Sequence, residues 1–99
     1  MLRLRGPYGW NSSGALAHVT LYITSGPRPI PDPWKFKIEN ALIAHSCYQP
    51  AIKKILSCLE HSRYECYMRP SVADEVRRRG ALQSLGITVE TTIFIENHQ

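Results

Sequence analysis

Two stretches of the chain alternate apolar and polar residues at the two-residue period of a strand with one buried face. In the first, from about Ala15 to Thr24, the apolar row is Ala17, Val19, Leu21 and Ile23, and the polar row is His18, Thr20, Tyr22 and Thr24. In the second, "ITVETTIFIE", Ile87, Val89, Thr91, Ile93 and Ile95 share one face, and Thr88, Glu90, Thr92, Phe94 and Glu96 share the other. Between them the period lengthens. Trp34, Ile38, Ala41, Leu42 and His45 recur at three- and four-residue spacing after Pro33, as on a helix that a proline opens. A second helix begins near Pro50, with Ile52, Ile55, Leu56 and Leu59 as its apolar stripe and Lys53 and Lys54 facing away. "YECYM", residues 64–68, is short, aromatic-rich and stopped by Pro70, which predicts a further strand.

A third helix follows, with Ser71 at the N-cap position, Asp74 and Glu75 in the first turn and Arg77, Arg78 and Arg79 near its far end. That order suits the helix dipole. Leu82 and Leu85 do not continue the stripe of Val72 and Val76, so Gly80 is expected to break the helix before a short extra turn to Gly86. The order strand, two helices, strand, helix, strand implies crossover connections and some parallel pairing. Both long strands, however, have only one apolar face. The expectation is an α/β fold: a small two-layer sandwich of about three strands in a mixed or parallel sheet, with about three helices mainly on one face. A fourth strand near Cys47, or a neighbouring chain, could extend that sheet. "PRPIPDP" holds four of the seven prolines and is expected to run extended over the surface. Residues 1–14, rich in Gly and Ser, are expected to be a flexible segment before one α/β domain over 15–99. A chain of 99 residues buries roughly two-thirds of its unfolded surface, enough for one modest core.

Twelve Lys and Arg against eight Asp and Glu leave a net charge of +4, a surplus that favours polyanionic partners. No apolar run approaches the roughly 18 residues of a membrane span, and "MLRLRGPYGW" has no apolar segment after its arginines. A soluble cytoplasmic protein without membrane contact is therefore expected. Cys47, Cys58 and Cys66 are odd in number and show no paired spacing, which predicts reduced thiols. His45, Cys47, Cys58 and His61 supply zinc-ligand chemistry, but a helix over 50–60 would hold Cys47 and Cys58 on the order of 15 Å apart. No metal and no cofactor are expected.

Two local resemblances bear on catalysis. "TLYITSGPRPIP" resembles the strand and turn entering the zinc site of nucleobase deaminases, where Pro-Cys-x-x-Cys follows. Here the pattern is Pro27-Arg28-Pro29-Ile30-Pro31, so both cysteine positions hold residues unable to bind zinc, and no His-x-Glu precedes them. "HVTL" is similar to the His-x-Thr motif of the two-histidine phosphodiesterases, in which one histidine acts as base, the other as acid, and the hydroxyls hold phosphate. That resemblance makes His18 and Thr20 candidate catalytic residues, and strand alternation puts them on one face. A second motif is missing, since "HSC" and "HSR" place His and Ser side by side. There is no P-loop, dinucleotide fingerprint or nucleophile elbow. Glu65 and Glu90 could meet across adjacent strands, but exposed strand glutamates are ordinarily solvated and receive no catalytic role.

The balance leans against an enzyme. The polar sheet face, His18, Thr20, Tyr22, Tyr67 and Phe94, is expected to bind a second copy of the chain, giving a homodimer anchored by Tyr22. The alternative is single-stranded RNA or DNA, with Arg28, Lys35, Lys37, Arg77, Arg78 and Arg79 as basic contacts. A small His-x-Thr phosphodiesterase is the third possibility.

Overall fold

The computed structural model describes residues 15–26 and 28–95. The segment 1–14, Pro27 and residues 96–99 lie outside them, and with them the expectation of a flexible N-terminus. The elements are β1 (Ala15–Ile23), α1 (Trp34–Ala44), α2 (Gln49–Cys58), β2 (Glu65–Met68), α3 (Pro70–Arg79) and β3 (Ile87–Ile95), with a 3-10 turn at Gln83–Leu85 before β3. Among the described residues the sheet has three strands in the order β2-β1-β3, and both pairings are antiparallel.

The sheet is thus neither mixed nor parallel, as the element order had suggested. Two helices between β1 and β2 return the chain to the end of the sheet it left, so β2 runs back along β1. The single helix α3 does make β2 and β3 run the same way, but β1 lies between them and pairs with both. Central β1 carries the longest register, Ala15 opposite Ile95 through Ile23 opposite Ile87. No fourth strand forms near Cys47, which sits buried in the connection between α1 and α2.

Alternation along β1 turns Ala17, Val19 and Leu21 into the helix layer, where they are fully buried. They meet Ile38 and Leu42 of α1, Ile52 and Ile55 of α2, and Val72 and Val76 of α3. Such side chains contribute roughly 1.5–3 kcal/mol each on removal from water. Ile30 also joins this core, so the proline connector is pinned rather than purely superficial, and the Tyr64 hydroxyl donates to its carbonyl oxygen at 3.1 Å. Gly80 and Gly86 adopt φ of 70° and 76°, the left-handed conformation that ends α3 and then redirects the chain into β3.

Three expectations require correction. Ser71 is not the N-cap of α3: Arg69 holds that position in extended conformation and Pro70 fills the first turn, where its missing N–H costs nothing. Asp74 and Glu75 accordingly fall beyond the first turn. Glu75 is buried and accepts from Arg78 at 2.7 Å and Arg79 at 3.0 Å, so these arginines serve a particular carboxylate as well as the helix dipole. Finally, the thiols are not all reduced. Cys58 ends α2, Cys66 lies on the core face of β2, and the turn between them brings their Cα atoms to 5.1 Å, where a disulfide joins them. Cys47 is left as the free, buried cysteine. No helix among the described residues is long and apolar enough to cross a membrane.

Candidate functional site

The three helices pack on one face of the sheet, and among the described residues no element covers the opposite face. The register places Leu16, His18, Thr20 and Tyr22 of β1 on that face, opposite Phe94, Thr92, Glu90 and Thr88 of β3. Tyr67 and Glu65 of β2 complete it beside His18 and Thr20. Each strand therefore contributes one ring to a cluster centred on His18, with centroids 4.9 Å from Tyr67 and 6.5 Å from Phe94. Tyr67 and Phe94 are themselves 6.5 Å apart. Separations of this size suit tilted aromatic pairs. Leu16 and Tyr67 remain 49% and 54% exposed.

All five residues expected on the binding face lie on the same side of the sheet, but they do not converge on one point. Tyr22 lies opposite Thr88, four residues along the strand from His18 and so roughly 13 Å from the rings. Thr20 stands between Glu65 and Glu90, which each pair with it from opposite sides. The two glutamates are thus separated by β1 and do not sit on adjacent strands. His18 is oriented by a 2.8 Å contact from Nε2 to Glu65 Oε1.

The basic residues divide. Arg28 lines a shallow cavity with Thr20 and Tyr22 and donates to the Ser25 hydroxyl at 3.0 Å. Lys35 pairs with Glu60 at 3.3 Å, and Lys37 lies 4.7 Å from the Trp34 ring centroid. Together with Arg77, Arg78 and Arg79 they belong to the helix layer, away from the aromatic cluster. Basic residues not expected as contacts border the cluster instead: Lys53, Lys54 and Arg69 line a cavity of about 600 Å³ that also touches Leu16 and Tyr67. Their signal was the placement of Lys53 and Lys54 off the apolar stripe of α2, on the side turned toward β2.

A second cavity, about 420 Å³, adjoins the first at Lys54 and Tyr67. His18, Ser57, His61 and Glu65 line it, so the second histidine comes from the turn after α2 rather than from a second His-x-Thr motif. Thr20 does not line this cavity. Among the described residues no group of three or more His, Cys, Asp or Glu side chains could hold a metal ion. Burial raises the Cys47 thiol above its ordinary value, and the nearby Glu75 charge adds to the effect while Arg79 opposes it. Comparison with family models, curated proteins and solved structures finds no match to the chain.

Proposed function

We propose that the protein is a non-catalytic assembly module that forms a homodimer through the uncovered face of its sheet. The observation that carries this reading is the exposed patch of Leu16 and Tyr67, continuous with the rings of His18 and Phe94, on a face that none of the described helices covers. Aromatic residues in a partly polar surround are the composition of an interface centre and rim. Two nine-residue strands and the four-residue β2, about 4.8 Å apart, present roughly 350 Å², which buries on the order of 700 Å² over both copies, the size of a weak, concentration-dependent dimer contact. Tyr67 replaces Tyr22 as the expected anchor. The same face is less suited to nucleic acid, because Glu65 and Glu90 flank its centre and would repel phosphate. Sedimentation over a concentration series tests the dimer.

The two-histidine cavity favours a second reading, phosphoester hydrolysis, in which one imidazole removes a proton and the other supplies one. Loss of bis(4-nitrophenyl) phosphate hydrolysis in both His18→Ala and His61→Ala would support it, and no hydrolysis by the wild-type chain would dismiss it. The Cys58–Cys66 disulfide fits an oxidising compartment better than the cytoplasmic placement expected from the sequence.

A further inference from the structure

Among the described residues the outer edge of β2 is unpaired, and it lies beside a cationic groove. Leu21 N–H donates to the Tyr64 carbonyl oxygen at 2.9 Å, and the register alternates from there, so Cys66 and Met68 turn their backbone groups toward β1. The N–H and C=O groups of Glu65 and Tyr67 therefore point away from the sheet, and among the described residues no strand pairs with them. The two adjoining cavities run along this edge, between β2 and the face of α2 that carries Lys54 and Ser57. In the larger one, Leu16, Tyr48, Tyr67 and Val72 supply apolar surface, and every charged side chain is cationic: Lys53, Lys54 and Arg69. Among the described residues none of those three forms an ion pair.

We propose that this groove docks an acidic peptide in extended conformation, added along β2 as a fourth strand of the sheet. The free edge supplies main-chain hydrogen bonds, which a peptide can match repeat for repeat and a nucleic acid cannot. Side chains of an added strand alternate between the two faces. One set meets the exposed ring of Tyr67, and the other meets Lys53 and Lys54, so acidic and apolar residues should alternate in the ligand. Glu65 lies at the far end, paired to His18, and limits the acidic stretch to the end of the groove near Arg69.

The probe is a fluorescein-labelled eight-residue peptide of alternating Glu and Val, titrated with the full chain at low salt and followed by anisotropy. Saturable binding is expected, weakened at least tenfold by Lys53→Glu with Lys54→Glu, and by Arg69→Glu, with thermal unfolding curves confirming that each variant folds. A peptide of the same charge with two central prolines, which lacks the N–H groups an edge requires, should bind at least tenfold more weakly. Absence of binding, indifference to charge reversal, or equal binding of the proline peptide or of oligouridine would each overturn the proposal.

Discussion

Reducing the Cys58–Cys66 bond should cost the fold a measurable share of its stability without disturbing the core. The bond closes a loop with a sequence separation of eight residues. In the chain-entropy account such a crosslink restricts the unfolded chain by about 2.5 kcal/mol at 25 °C. For a domain near 100 residues, whose total stability is roughly 5–15 kcal/mol, that corresponds to a fall of about 10–20 °C in melting temperature. Reductant is a better perturbation than mutation here, because Cys58 is fully buried and its replacement would add a packing change. The assay is thermal unfolding by circular dichroism with and without reductant, alongside a thiol count in denaturant. One titratable thiol, Cys47, is expected before reduction and three after. Three thiols in the untreated protein, or equal melting temperatures in both conditions, would refute the reasoning.

Other expectations follow from single sites. Because burial raises the Cys47 thiol, the folded state holds its proton more tightly than the unfolded state does. Stability should therefore decline as pH rises above the ordinary thiol range near 8.5, and native alkylation of Cys47 should be slower than in denaturant; an alkylation rate equal in the two states would contradict this. Truncating both Arg78 and Arg79 to Ala strands the buried Glu75 carboxylate and should cost about 3 kcal/mol, against about 1 kcal/mol for Glu75→Gln, as judged by urea unfolding. The reverse order would show that the carboxylate does not depend on its arginines. Gly86→Ala meets open space, so only the left-handed backbone resists it, and a loss of roughly 1–2 kcal/mol is expected from the same assay.

The fold was readable where periodicity was strong. The β1 row Ala17, Val19, Leu21 and the α2 stripe Ile52 and Ile55 sit in the core as their spacing predicts, and the phase break after Val76 does mark Gly80 and a short turn to Gly86. Strand direction was not readable, because periodicity identifies elements but not whether β1 inserts between β2 and β3. The disulfide escaped for a related reason. Eight residues along the chain say nothing of proximity until the turn after α2 folds β2 back against it. At the candidate site, alternation correctly grouped His18, Thr20 and Tyr22, while the rings that gather round His18 come from strands whose register only the sheet defines. The partner of Arg78 and Arg79 was not readable, because a run of basic residues at a helix end looks the same whether it faces solvent or also clasps a buried glutamate one turn back.

Sedimentation of the purified chain from low to high micromolar concentration tests most directly whether the uncovered sheet face is an assembly surface. A rise from monomer to dimer mass is expected, with a dissociation constant in the micromolar range. Tyr67→Ala, which removes the most exposed ring of the cluster, should shift that constant about tenfold toward monomer, equivalent to about 1.4 kcal/mol. A monomer throughout the range, or a dimer indifferent to Tyr67→Ala, would contradict the account.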